Sequence, residues 1–189
     1  MKIILASKSP RRKELLSLIT SDFEVIVSEA DENVDNINSP EEIVKEIAIR
    51  KARAVSNTVN EDCVIIGSDT IVVVGNEILG KPKDREDAIR MLNLLSGKTH
   101  KVMTAICVIT KKAGEVSEYI DCDVSEIHVK HLTEEEINKW LDTGNAWDKA
   151  GAYAIQQEFA IHIDKINGSY ATVVGLPVHL VYDALKNLF

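Results

Sequence analysis

Apolar and polar residues follow two different periods along the chain, and together these periods predict a mixture of strands and helices. Short apolar or alternating runs predict strands at residues 2–6, 23–27, 63–67, 70–74, 101–109, 118–129, 152–155, 159–163 and 170–174. Apolar residues at helical spacing behind capping residues predict helices that begin at or just after Ser9, Ser39, Asp84, Thr133 and Pro177. Because no linker or repeat interrupts them, residues 1–189 are predicted to form one mixed α/β (α+β) domain.

The composition is that of an acidic globular protein. The 189 residues include 22 Lys and Arg against 30 Asp and Glu, which gives a formal net charge of −8. This balance argues against a nucleic-acid-coating protein, which needs surplus cations to release counterions from phosphates. No apolar run approaches the ~18 residues of a membrane span, and the N-terminus has no signal-peptide core. With three scattered cysteines and no CxxC pair, these features predict a cytoplasmic protein.

Four cations stand close together at the start of the first predicted helix, at Lys8, Arg11, Arg12 and Lys13. The unpaired N–H groups and the dipole of a helix start favour an anion there, and arginine adds bidentate recognition of phosphate oxygens. The alternative interpretation is a solvated basic face on an ordinary helix. On its own, this segment leaves both interpretations open.

A polar break at residues 67–70 separates two very apolar predicted strands and contains Asp69. A carboxylate on stiff backbone at the mouth of a buried sheet suits a general base or a metal ligand, although an aspartate can also simply cap a turn. Lys81 follows in a Gly-Lys-Pro loop, either as a functional cation or as an exposed loop lysine. Further on, Gln156 offers an amide that could hydrogen-bond the edge of a ligand.

Two common phosphate-binding fingerprints are absent from the sequence. The Ser-Gly-Lys-Thr-His segment at 96–100 lacks the earlier glycine of a P-loop, because position 92 is Leu, and no two glycines have the GxG spacing of a dinucleotide-binding turn. There is also no GxSxG motif, so covalent acyl transfer has no support. The candidate chemistry therefore depends on the charged segments.

Taken in order, these segments resemble the Maf family of nucleoside triphosphate pyrophosphatases. The matching motifs are SPRRKELL at 9–16 with its SxxRxxLL pattern, Glu32 in the acidic loop 28–38, Lys51 in RKARA, Asp69 in GSDT, Lys81 in GKP, SGKTHKVMTA at 96–105, DKAGAYAIQ at 148–156 and NGSYATVVGLP at 167–177. The resemblance runs from residue 3 to about 177. It implies a fold similar to the inosine triphosphatase type, with an elongated mixed sheet, helices and a cleft between two lobes.

The same resemblance implies a homodimer that hydrolyses a nucleoside triphosphate to the monophosphate and pyrophosphate with a divalent metal, Mg²⁺ or Mn²⁺. Asp69 matches the family's proton acceptor, and Glu32 with Asp69 matches its metal site. The positions that match its phosphate-contacting residues are Ser9, Arg12, Lys51 and Lys81. The mechanism we infer is metal-assisted attack of water on the α-phosphorus, with Asp69 as the base.

Base preference is the finer question. Arg11, Thr70 and Gln156 match the family's specificity positions, and together they resemble the subfamily that prefers dTTP and UTP. A hydroxyl and an amide can pair with the carbonyl and imide groups of a pyrimidine, so modified pyrimidine nucleotides are further candidate substrates. The alternatives are a 7-methyl-GTP pyrophosphatase and a non-catalytic, nucleotide-binding regulator of septum formation.

Overall fold

The computed structural model describes residues 1–34, 37 and 39–186, so part of the predicted acidic loop 28–38 and the last three residues lie outside the described chain. The strands are β1 Lys2–Leu5, β2 Glu24–Val25, β3 Cys63–Val74, β4 Glu77–Leu79, β5 Thr99–Lys112, β6 Glu115–Val129 and β7 Ile163–Asn167. The helices are α1 Pro10–Leu16, α2 Pro40–Ser56, α3 Arg85–Leu95, α4 Glu134–Asp142, α5 Tyr170–Val174 and α6 Val178–Leu185.

The strands form one mixed sheet, which confirms the predicted fold class. Its hydrogen-bonded order is β2-β1-β3-β5-β6-β7, and β4 pairs with β3 beside this path. β1 runs parallel to β2 and β3, whereas β4 is antiparallel to β3 and β7 is antiparallel to β6. Ala113 and Gly114 join β5 to β6 with positive φ angles of 52° and 83°, as a tight two-residue hairpin turn requires.

The chain divides into two compact units. The first unit comprises residues 1–69, 104–123 and the described residues from 175 onward. Its core includes Ile4 and Leu5 of β1, together with Ile65 and Ile66 of β3, all of them fully buried. The register pairs Ile4 with Ile65 and Leu5 with Ile66, so the apolar residues of the two parallel strands lie side by side. This buried strand pair is the rigid base that carries the polar residues described below.

The second unit comprises residues 70–103 and 124–174. Its core contains an aromatic cluster in which the ring of Phe159 lies 5.3 Å from Trp140 and 5.2 Å from Tyr153, centroid to centroid. The indole N–H of Trp140 donates to the carbonyl of Ala152 at 2.8 Å, so this buried polar group is satisfied. Among the described residues, no helix combines the length and the apolar character that a membrane crossing requires.

Several element predictions are confirmed, and others are wrong in the middle and in the last part of the chain. The helices behind Ser9, Asp84, Thr133 and Pro177 begin as predicted. The two strands predicted on either side of the polar break are one continuous strand, β3, and the side chains of Ser68 and Asp69, which lie within it, have polar partners. The polar break therefore marks a site within a strand rather than the end of one.

Three strand predictions in the last part of the chain are also wrong. The strands predicted near 152–155 and 170–174 are a 3₁₀ turn with irregular chain and the helix α5, and most of the run 159–163 is a second 3₁₀ turn, Glu158–His162. A positive φ angle of 59° at Ala152 interrupts the first of these runs, and those of 70° at Gly151 and 74° at Gln157 turn the chain on either side of it. Short apolar runs do not distinguish buried strands from other buried segments.

Candidate active site

The polar residues of the first unit begin where β1 ends and α1 starts. Ser9 is the N-cap of α1, and its hydroxyl oxygen accepts the backbone N–H of Arg12 at 3.4 Å, with Pro10 at the first helical position. The preceding Ser7 is buried, and its hydroxyl oxygen accepts the N–H of Ser9 at 3.2 Å. These contacts fix the direction in which α1 leaves the sheet, and with it the position of Arg12.

The side chain of Arg12 is held by residues that are distant in sequence. Its Nε donates to the carbonyl of Gly175 at 2.8 Å, and its Nη1 donates to the Ser7 hydroxyl at 3.4 Å. The buried Ser68 hydroxyl of β3 donates to the same Gly175 carbonyl at 3.2 Å. The Gly175 carbonyl, which lies just before α6, therefore accepts hydrogen bonds from both α1 and β3. These bonds hold the Arg12 guanidinium in a defined orientation.

The electrostatic surroundings of Arg12 are mixed. Burial lowers the pKa of its guanidinium below the ordinary value, whereas the Asp69 and Glu32 carboxylates act in the opposite direction and the Arg11 charge lowers the pKa further. Because an arginine side chain does not lose its proton in a protein, the group stays cationic. A half-buried cation with a second cation nearby favours an anionic ligand.

Helix α2 lies directly against β3 because position 67 is glycine. A Cβ on Gly67 would stand 2.5 Å from the carbonyl oxygen of Ala48 and 2.8 Å from the Cβ of Ala52, closer than real side chains approach. Both alanines are fully buried, so this contact brings the middle of α2 onto the strand. Lys51 therefore lies next to Asp69, two residues beyond the glycine on β3.

Lys51 joins two carboxylates. Its Nζ lies 2.7 Å from Oδ1 of Asp69 and 2.9 Å from Oε1 of Glu32. The side chains of Lys51 and Asp69 are each 12% exposed, whereas that of Glu32 is 59% exposed. Three residues predicted from separate motifs thus meet at one ammonium group, with the buried pair inside and Glu32 at the solvent side.

The two carboxylates suit a divalent cation. Oxygens of Glu32 and Asp69 already contact one cation, the Lys51 ammonium, so both can reach a common positive centre. Mg²⁺ takes one or two protein carboxylates and completes its shell with waters and substrate phosphates. Within the described residues, no group of three or more His, Cys, Asp and Glu side chains is placed to hold a metal. Glu32 and Asp69 supply the two carboxylates that such a coordination shell takes from the protein.

The remaining predicted residues belong to other parts of the chain. Arg11 is half-buried on α1, while Thr70 on β3 and Gln156 are half-buried residues of the second unit. Lys81 is exposed in the loop after β4. That loop is fixed within the second unit, because the carbonyl of Gly80 accepts the N–H of Gly151 at 3.0 Å.

The second unit contains a buried polar pair of another kind. Nε2 of His100 and the hydroxyl of Tyr153 are 2.7 Å apart, and the two rings meet edge to face. Burial lowers the pKa of His100 to about 4 and raises the pKa of Tyr153, so both groups are neutral near pH 7. Within the described part of the chain, Nδ1 of His100 has no hydrogen-bond partner.

Sequence reasoning missed the residues that hold the predicted ones in place. Ser7 and Gly175 orient Arg12, and Arg50 donates to the backbone of the loop that carries Glu32. A signal was present for two of them, because Gly175 lies within the VVGLP part of one motif and Arg50 begins RKARA. Nothing in the sequence indicated which atoms these residues would contact.

Comparison with known proteins gives a consistent result. The family model described as Maf-like protein matches residues 2–188. The dTTP/UTP pyrophosphatase of Caldanaerobacter subterraneus subsp. tengcongensis is 44% identical over 189 residues, 100% of this chain and 90% of the relative. The dTTP/UTP pyrophosphatase of Thermoanaerobacter sp. (strain X514) is 46% identical over 193 residues, 100% of this chain and 97% of the relative.

A solved structure supports the fold. The structure of a HAM1 protein from Coxiella burnetii superposes with a TM-score of 0.53 at 14% sequence identity and covers 99% of each chain. At this identity the likeness concerns the fold alone. It agrees with the mixed sheet described above and with the predicted inosine-triphosphatase-like fold.

Proposed function

This chain belongs to the Maf-like protein family, and on that premise we propose that it is a pyrophosphatase that hydrolyses dTTP and UTP to the monophosphate and pyrophosphate. Full-length similarity to relatives named dTTP/UTP pyrophosphatase supports the reaction and the substrates. The structural observation that carries the proposal is the Lys51 ammonium, bound by Asp69 and Glu32. A metal ion could take the place of the ammonium between the two carboxylates, and the ammonium could then bind the phosphates of the substrate.

The cations of the site suit a triphosphate. A nucleoside triphosphate carries close to four negative charges, so several positive groups are needed to hold it and to stabilise the departing pyrophosphate. We assign the phosphate contacts to Ser9, Arg12, Lys51 and Lys81. Arg12 is oriented before substrate arrives, since Gly175 and Ser7 hold its guanidinium. Lys51 would pass from the carboxylates to phosphate oxygens when substrate binds.

Asp69 is the group we assign as general base. It is largely buried on a rigid strand and accepts a hydrogen bond from the Lys51 ammonium, so its carboxylate is held in a fixed position from which it could take a proton from water. Glu32 and Asp69 would hold a divalent cation, Mg²⁺ or Mn²⁺, which when bound supplies charge neutralisation and lowers the pKa of water. Water would then attack the α-phosphorus, and pyrophosphate would leave.

The specificity residues we propose are Arg11, Thr70 and Gln156. A guanidinium, a hydroxyl and an amide together can serve both the carbonyl acceptors and the imide donor of thymine or uracil. The names of the similar relatives favour this preference over 7-methyl-GTP. A homodimer and a cytoplasmic location are further expectations from the family resemblance, and light scattering on the purified protein tests the first.

A substrate panel tests the proposal. Purified protein is incubated with dTTP, UTP, CTP, GTP and 7-methyl-GTP, with and without Mg²⁺ or Mn²⁺, and pyrophosphate and orthophosphate are measured separately. We expect metal-dependent pyrophosphate release that is fastest with dTTP and UTP. Preference for 7-methyl-GTP would overturn the specificity, and orthophosphate as the first product would overturn the reaction. Nucleotide binding without turnover would favour the regulator of septum formation.

A further inference from the structure

A second cation of α2, Arg50, binds the loop that carries Glu32. Its Nη1 lies 2.7 Å from the carbonyl oxygen of Asn33 and 3.4 Å from that of Asp31. These two carbonyls belong to the residues on either side of Glu32. Consecutive residues of one helix thus contact one loop, Arg50 at its backbone and Lys51 at the Glu32 carboxylate.

Arg50 is itself held in place. Its Nε donates to Oε1 of Glu46 at 2.7 Å, one helical turn earlier on α2. The pair is about one-third exposed on each side, so its Coulomb energy is small. Its geometric effect is larger, because a planar guanidinium fixed at Nε presents its remaining N–H groups in one direction. That direction is toward the carbonyls of Asp31 and Asn33.

The loop is also ordered by its own polar groups. Oδ1 of Asp31 accepts the backbone N–H of Asn33 at 2.9 Å and its side-chain amide at 2.8 Å. This turn closes around Glu32 and presents the two flanking carbonyls to Arg50. Because the Glu32 side chain is 59% exposed, little packing holds it, and its position depends on the Lys51 ammonium and on the polar contacts of the loop.

We propose that Arg50 is a positioning residue for the active site: it fixes the backbone on both sides of Glu32 and so holds that carboxylate beside the Lys51–Asp69 pair. The inference rests on the proposed function, in which Glu32 contributes to binding of the divalent cation. Arg50 itself contacts neither metal nor substrate in this scheme. Without it, the loop samples other positions and the Glu32 carboxylate is available only part of the time.

The test compares three single variants. Arg50→Gln removes the guanidinium, and Arg50→Lys keeps the charge without the planar fork. Arg53→Gln is the matched control, because Arg53 lies on the same helix and donates from Nε and Nη2 to both carboxylate oxygens of Glu118, far along the chain from the loop. Both variants lose one positive charge and one surface ion pair from α2. A difference between them therefore reports the contact of Arg50 with the loop and not a general effect on the helix.

The first readout needs neither metal nor nucleotide. Hydrogen exchange followed by mass spectrometry reports the protection of peptides that cover residues 28–34. We expect exchange about tenfold faster in Arg50→Gln, since a hydrogen bond from a charged group is lost, and no change in Arg53→Gln. Unchanged protection in Arg50→Gln would overturn the proposal.

The second readout separates positioning from general damage. At saturating dTTP, we expect Arg50→Gln to raise the metal concentration needed for half-maximal rate by about tenfold, with Arg50→Lys intermediate and Arg53→Gln like the wild type. At saturating metal, the KM for dTTP should change little. In a Glu32→Gln background, adding Arg50→Gln should cause no further loss, because both changes remove the same carboxylate from the site.

The outcomes distinguish this inference from the function on which it rests. A wild-type protein that releases no pyrophosphate contradicts the proposed function, while hydrogen exchange still reports whether Arg50 anchors the loop. An active wild type whose Arg50→Gln variant behaves like Arg53→Gln contradicts the inference alone. Full additivity of Arg50→Gln and Glu32→Gln would also contradict it, since Arg50 would then act by another route.

Discussion

Two regions of the molecule bury polar side chains, and they do so in opposite ways. In the first unit, Lys51 and Asp69 are 12% exposed and form an ion pair that Glu32 shares from the solvent side. In the second unit, His100 and Tyr153 are 2% and 5% exposed and form one hydrogen bond as neutral groups. The first region keeps charges near water, and the second removes charge altogether.

This difference in charge distinguishes a group that can bind an ionic ligand from one that belongs to the protein core. Burying a charge is costly unless a partner is present, and a carboxylate–ammonium pair at the edge of solvent can exchange partners with an incoming ion. A neutral pair inside an aromatic cluster can add stability through the one hydrogen bond that its members share, but it offers little to an ionic ligand. We therefore expect changes at the Lys51–Asp69 pair to alter turnover and changes at the His100–Tyr153 pair to alter stability.

The largest expected effect is that of Asp69→Asn. The amide cannot accept a proton, so turnover of dTTP should fall by about 10²–10⁴-fold, while nucleotide binding measured by calorimetry stays close to that of the wild type. Asp84→Asn is the control, because asparagine caps α3 as well as aspartate does. Full activity of Asp69→Asn would show that the buried ion pair is structural, like the neutral pair of the second unit.

The next effect is a dependence of stability on pH that belongs to the second unit. Burial depresses the pKa of His100 to about 4, from 6.5 for an ordinary histidine. Between these values the unfolded chain binds a proton that the folded protein does not, so stability rises with pH from about 4 to 6.5 and is lost as pH falls. The change is at most about 3 kcal/mol.

Urea unfolding at pH 4.5 and pH 7 measures this contribution. His100→Gln, whose amide can still bond to the Tyr153 hydroxyl, should show a smaller difference between the two pH values than the wild type. An equal difference in both proteins would mean that His100 does not titrate as its burial indicates, and the contrast between the two regions would lose its electrostatic basis.

A smaller effect is expected where α2 meets β3. Gly67→Ala places a methyl group 2.5 Å from a backbone oxygen, so helix and strand must separate and the protein should lose about 2 kcal/mol of stability. Because Lys51 moves with the helix, turnover should fall as well. Gly80→Ala is the stability control, since a Cβ there meets nothing within 4 Å. Lower stability with unchanged turnover would mean that the contact between α2 and β3 stabilises the protein but does not position Lys51 for the reaction.

The smallest expected effect is that of Tyr153→Phe. The ring is kept and the hydroxyl is lost, which leaves Nε2 of His100 without this partner and costs about 1–2 kcal/mol in thermal or urea unfolding. Turnover measured well below the unfolding transition should match that of the wild type. A clear loss of turnover would mean that the His100–Tyr153 pair contributes to catalysis, and would contradict its assignment to stability alone.

The sequence predicted much of the fold and the chemical groups of the site, but not their arrangement. Caps such as Ser9 and Asp84 are local, so the helix starts could be predicted from a few residues. The bond from Arg12 to the Gly175 carbonyl spans 163 positions, and no local pattern encodes it. The continuity of β3 and the turns near Gly151 depend on partners that only the folded chain supplies.

The most direct test of the central claim is the fate of the water oxygen. Hydrolysis of dTTP in H₂¹⁸O, followed by mass spectrometry of both products, identifies the phosphorus that water attacks. If Asp69 delivers water to the α-phosphorus, the label enters the thymidine monophosphate and pyrophosphate is unlabelled. Label in pyrophosphate, or labelled orthophosphate as the first product, would contradict the account.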